Sequence, residues 1–75
     1  MKDHYQVLQV DRRAEREVIE KAYRALSLKY HPDVVGPARQ EVATRRMQRI
    51  NAAYAVLKDP AARRRYDETL GSHPG

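Results

Sequence analysis

Seventy-five residues leave room for one small domain, and the absence of Cys removes both a disulfide framework and thiolate metal ligands. The longest apolar run, Ala52 to Leu57, has six residues, far short of the roughly 18–20 a membrane helix needs, and charge throughout the first twenty positions leaves no apolar stretch for a signal peptide. Fifteen Lys and Arg against ten Asp and Glu give a formal net charge of +5. A chain this short spends nearly all its apolar groups on one core, which disfavours an enzyme with its own cleft.

Pro32, Gly36-Pro37, Pro60 and the tail from Gly71 punctuate the sequence. The segments between them are rich in helix formers and lack sustained alternation, so the reading is all-α, with four helices. The first is short, about Asp3 to Leu8, with Asp3 as its cap and Tyr5, Val7 and Leu8 as apolar contacts. The second runs from about Ala14 to Tyr30. Ile19, Ala22, Tyr23, Leu26 and Tyr30 form its stripe, with Val18 widening it. It should stop near Tyr30, because Pro32 disfavours helical geometry at His31.

The third helix opens near Pro37 or Ala38 and runs to about Lys58, with Ala43, Met47, Ile50, Ala53, Tyr54 and Leu57 on one face. The fourth begins at Asp59-Pro60, an Asp cap followed by Pro at the first helical position, and ends near Leu70 with Gly71 as a stop. Residues 1–70 form the domain, and 71–75 are expected to be a disordered tail or the start of a linker. A loop of roughly seven residues joins the two long helices, which favours an antiparallel hairpin. Tyr5, Leu8, Val10, Ile19, Ala22 and Leu26 should meet the apolar face of the third helix. Without Phe or Trp, tyrosines and aliphatics must fill this core.

The tip of that hairpin, His31-Pro32-Asp33, sets a rigid Pro between two polar residues. Taken with its surroundings it carries a resemblance. Asp3-His4-Tyr5-Gln6-Val7-Leu8-Gln9-Val10, Lys21 through Asp33, Ile50-Asn51-Ala52-Ala53-Tyr54-Ala55-Val56-Leu57-Lys58-Asp59-Pro60 and Arg65-Tyr66-Asp67 follow one another as in the J domain of DnaJ-type co-chaperones. The last of these resembles that family's closing Arg-x-x-Tyr-Asp. The resemblance spans residues 3 to 71. It implies a four-helix fold with a long hairpin of helices two and three, short helices one and four, and no cofactor. It implies binding to a DnaK-type chaperone ATPase and stimulation of that partner's ATP hydrolysis, coupled to client capture. By position, His31, Pro32 and Asp33 are the signature residues, and Lys21, Tyr23, Arg24 and Lys29 are the candidate contacts on helix two.

These residue types suit such work. A co-chaperone needs preferential binding to one state of its partner rather than a nucleophile or base. Asp33 can offer two carboxylate oxygens to an Arg. Pro32 lowers the ordering cost of docking. His31 stands where the helix carbonyls point, placed to cap them, to touch the partner, or both. A positive helix face speeds encounter with an acidic patch.

Several positions depart from the family pattern. Glu20 and Ala25 stand where basic residues are common, Val34-Val35 replaces an Arg/Lys-Asn type of sequence, Met47 stands where Phe is typical, and Gln9 takes the place of a common Gly. Basic charge gathers instead on helix three (Arg39, Arg45, Arg46, Arg49) and helix four (Arg63, Arg64, Arg65). The expectation is weaker or retuned docking through helix two. No Gly/Phe-rich stretch, Cys-rich zinc module or client-binding domain is present, so client contact is expected through other regions or other proteins. An excised N-terminal domain and a small J-domain protein both fit.

A basic helical nucleic-acid module is the alternative, on the strength of a pI near 9.9 and the run Arg63-Arg64-Arg65. Its weakness is a hairpin loop too long, with two prolines, for a helix-turn-helix. An acid/base site of His31, Asp33 and His4 lacks a cleft, and the same groups lack the spacing for a metal. The isolated domain is expected to be monomeric and, with no Cys, signal or span, cytoplasmic.

Overall fold

The computed structural model describes residues 2–71, so the expected tail at Ser72 to Gly75 lies outside the described residues. Its elements, in chain order, are α1 (His4–Val7), α2 (Arg16–Tyr30), a 3-10 turn (Pro37–Arg39), α3 (Gln40–Leu57) and α4 (Pro60–Thr69). Among the described residues there is no strand, and no helix is long and apolar enough to cross a membrane.

Local chemistry sets each boundary. Asp3 Oδ1 accepts the Gln6 N–H at 2.8 Å and Gln6 Oε1 accepts the Asp3 N–H at 3.0 Å, a reciprocal capping box that starts α1. The helix closes with Gln9 N–H bonded to the Gln6 carbonyl at 3.1 Å and Val10 N–H to the Tyr5 carbonyl at 3.0 Å. This Schellman pattern requires a left-handed residue at Gln9, whose φ is 59°. The common Gly of the family pattern has its physical reason here, and Gln9 adopts the conformation despite its side chain.

α2 begins at Arg16, two positions later than the apolar pattern suggests, because Ala14 is held in a turn by its N–H bond to the Asp11 carbonyl at 2.9 Å and Glu15 is extended. It ends where expected: His31 has ψ 133°, the extended geometry that a following Pro imposes. The expected start of the third helix at Pro37 is instead the 3-10 turn, with α3 proper opening at Gln40. Asp59 caps α4 by accepting the Ala62 N–H at 3.3 Å, with Pro60 at the first position. Gly71, at φ 76°, follows the end of α4.

α2 and α3 run antiparallel. Tyr23 near the middle of α2 meets Asn51 and Tyr54 of α3, whereas Tyr30 at its end meets Arg46, earlier in α3. Tyr5, Leu8, Ile19, Leu26, Ile50, Ala53 and Leu57 form one buried cluster, with Val10, Met47 and Tyr54 partly buried against it. Three expected members fall outside; Ala43 is buried but apart from this cluster, and the other two are more open. Val18 is 49% exposed, because about 100° of helical rotation separates it from Ile19, which occupies the core. Ala22 is only half-buried.

Candidate functional site

The hairpin tip is a tight turn. Val34 donates its N–H to the His31 carbonyl at 2.9 Å, with Val35 following at 3.3 Å, so His31 and Val34 are the ends of a β-turn with Pro32 at its second position. Pro is favoured there because its fixed φ fits the turn. The Gln40 side chain reaches back to the Pro32 carbonyl at 3.5 Å, a long bond from α3 to the tip.

Within the turn, the Asp33 backbone N–H donates to His31 Nδ1 at 3.1 Å. A nitrogen that accepts carries no proton, so the neutral imidazole holds its proton on Nε2. The same Nδ1 lies 3.6 Å from Asp33 Oδ2, too far for a hydrogen bond, and the Asp33 side chain is 89% exposed. The ring is therefore locked to the turn's backbone while the carboxylate projects into solvent. Among the described residues no hydrogen bond joins this ring to a carbonyl at the end of α2, so the capping role open to His31 is not the one it takes.

The α2 residues divide. Lys21 and Arg24 are exposed on the side away from α3. Tyr23 is half-buried: its ring stacks on Tyr54 at 4.0 Å with 8° between planes, and its hydroxyl donates to Asn51 Oδ1 at 2.8 Å. Tyr23 thus ties the two long helices together next to Arg24. Lys29 sits on the other flank of α2, its ammonium 5.5 Å from the Tyr30 ring centroid. His31, Pro32, Asp33, Lys21 and Arg24 lie along the tip and outer side of the hairpin, and Lys29 turns away from Tyr23.

Arg63 has a different place from the one its sequence neighbours suggest. Rather than joining a basic surface run, its guanidinium turns inward. Nε donates to the Tyr5 hydroxyl at 3.0 Å, and Nη2 donates to the carbonyls of Arg12 at 3.0 Å and Ala14 at 2.8 Å. Tyr5 in turn donates to the Asp67 carboxylate. Burial of Tyr5, reinforced by its bond to Asp67 and opposed by Arg63, raises its phenol above the usual tyrosine range. Arg12 donates to the Asp67 carbonyl at 3.1 Å. His4 stacks on Tyr66 at 4.3 Å, and its N–H donates to the Tyr66 hydroxyl at 2.9 Å. The clue in the sequence was spacing: Arg63, not Arg65, stands three residues before Tyr66-Asp67 and fills the Arg-x-x-Tyr-Asp pattern. Arg64 and Arg65 remain exposed.

A short helix, a long antiparallel hairpin with His-Pro-Asp at its tip and a closing helix locked to the first are together the make-up of a co-chaperone module. The family model for the DnaJ domain matches residues 3–67, and the chain belongs to that family. It is 47% identical over 68 residues to the chaperone protein DnaJ of Thermoplasma acidophilum, covering 91% of this chain and 18% of that protein. To human DnaJ homolog subfamily B member 3 it is 49% identical over 67 residues, covering 89% of this chain and 46% of the relative. The chain thus spans less than half the length of these relatives. The solution structure of the J-domain of a mouse DnaJ-like protein superposes with a TM-score of 0.84 at 28% identity, over 99% of this chain and 82% of that one.

Proposed function

We propose that this J domain binds a DnaK-type chaperone ATPase through the His31-Pro32-Asp33 turn and the outer side of α2, and accelerates that partner's ATP hydrolysis. The observation that carries the reading is the split within the turn. The backbone and the His31 ring satisfy one another, while the Asp33 carboxylate is held out with both oxygens available to a cation. A tip fixed in this way loses little conformational freedom on docking. Lys21 and Arg24 add positive charge beside it, and Tyr23 holds that stretch of α2 against α3.

The chemistry of hydrolysis belongs to the partner. The domain's contribution is tighter binding to the conformation in which the partner hydrolyses ATP, and acceleration follows from that difference alone. Client capture then depends on the partner and on regions other than this domain.

A single-turnover ATPase assay with DnaK-type partners tests the proposal. The intact domain accelerates hydrolysis, and Asp33→Asn, which keeps shape but removes charge, abolishes most of the effect while circular dichroism shows unchanged helix. Unaltered hydrolysis across a panel of such partners defeats the reading.

A further inference from the structure

We propose that the groove between the end of α2 and the start of α3 is a second docking surface, for an acidic peptide segment that seats one apolar side chain. The groove encloses about 360 Å³, with Tyr30, Val35, Val42 and Ala43 as its apolar lining and Lys29, Arg39 and Arg46 around them. It lies on the opposite flank of the hairpin from Tyr23. At about 3.6 residues per turn, Asn51 and Tyr54 fall to one side of Ile50 and Val42, Arg46 and Arg49 to the other. The contacts agree: Tyr23 meets Asn51 and Tyr54, while the Arg46 guanidinium lies 4.5 Å from the Tyr30 ring centroid.

Two features select the occupant. The first is charge. Arg45 is engaged by Glu41 at 2.8 Å, but among the described residues no carboxylate lies within ion-pair distance of Arg39, Arg46 or Arg49. Arg46 and Arg49 share one face of α3 with Val42, and Arg39 precedes them in the 3-10 turn, a cationic stripe with no ion-paired carboxylate among the described residues. The second is the apolar lining. Val42 is 63% exposed in the middle of that stripe. A phosphate backbone satisfies the cations and leaves Val42 and Val35 facing water. A lipid surface takes up protruding apolar groups, whereas these line a concavity. An acidic segment with one aliphatic or aromatic residue meets both demands, its carboxylates on Lys29, Arg39 and Arg46 and its apolar group on Val42 and Tyr30.

The test is a heteronuclear NMR titration of the 75-residue chain with a short Glu/Asp peptide bearing one central Leu. Parallel titrations use the same peptide with Ser for Leu, a single-stranded oligonucleotide of equal charge, and phosphatidylserine vesicles. Shift changes are expected at Val35, Val42 and Ala43. Val42→Ser in the domain, and Ser for Leu in the peptide, should each weaken binding about tenfold, the effect of losing one buried aliphatic contact. Arg46→Ala should weaken it and flatten its salt dependence. Circular dichroism checks that both variants keep their helices, which the exposure of the two side chains favours. The proposal is overturned if the groove residues do not shift, if the Ser peptide binds as well as the Leu peptide, or if the oligonucleotide or vesicles bind more tightly than the Leu peptide.

Discussion

The Arg63 guanidinium and the Tyr5 hydroxyl, 58 residues apart in the chain, are joined by a 3.0 Å hydrogen bond that couples the first helix to the last. The same guanidinium also closes the carbonyls of Arg12 and Ala14, which no helix would otherwise satisfy. Replacing Arg63 by Ala leaves three partly buried acceptors short of a charged donor. The expected loss is about 2–4 kcal/mol in urea unfolding, against less than about 0.5 kcal/mol for Arg64→Ala on the exposed side. Equal losses would mean that Arg63 is an ordinary surface charge.

Tyr5 gives the domain an alkaline limit. Its phenol ionises at higher pH in the folded state than in the unfolded chain, chiefly through burial and then through its bond to Asp67. The unfolded chain therefore releases this proton first. Its contribution is complete below the ordinary tyrosine value of 10.0 and is lost as pH rises from there through the raised folded value. Urea midpoints should fall as pH rises above 10.0, and fall less in Tyr5→Phe, which starts less stable at neutral pH. Ultraviolet titration should show a tyrosine step above the ordinary value of 10.0, and that step should vanish in Tyr5→Phe.

Gln9 stores strain at the end of α1. A left-handed conformation costs an L-residue roughly 1–2 kcal/mol, while Gly adopts it freely but loses more chain entropy on folding. Gln9→Gly should therefore stabilise the domain by about 0.5–1 kcal/mol, and Gln9→Val should destabilise it, because a β-branched side chain tolerates φ 59° worst. Thermal unfolding followed by circular dichroism decides the order Gly, Gln, Val. The backbone's demand for this geometry is fixed by the paired hydrogen bonds of Gln9 and Val10.

Partner docking through α2 predicts an asymmetry between two pairs of cations. Lys21→Ala/Arg24→Ala should lower affinity for the chaperone ATPase severalfold at low salt and erase much of its salt dependence. Arg64→Ala/Arg65→Ala should change it little. Comparable losses in the two double variants, measured over a salt series, would reject α2 as the main contact. Arg63 is unsuited to this comparison, because its removal loosens the fold.

The helices and the hairpin tip were legible because they are written locally. Asp3 and Asp59 caps, the break before Pro32 and the Ile50–Ala53–Leu57 face each depend on residues within a few positions of one another. Helix starts were less so: the Asp11–Ala14 turn delays α2 and a 3-10 turn delays α3, and neither alters the apolar pattern. The signature residues could be located but not their bonding, since nothing in His31-Pro32-Asp33 announces that a ring nitrogen accepts a backbone N–H two residues on. The Arg63–Tyr5–Asp67 lock was hidden for another reason. Its members are separated by most of the chain, and three consecutive arginines read as surface until the fold turns one of them inward.

That lock also bears on the order in which the domain assembles. The α2–α3 hairpin closes through a short connection, whereas Tyr5 and Asp67 must meet across 62 positions, and closing the longer loop costs more entropy. The hairpin, bearing the His31-Pro32-Asp33 turn at its tip, can thus form early, with the first and last helices fastening afterwards. On that order, loosening Arg63 shortens the lifetime of the native state and leaves the folding rate nearly unchanged.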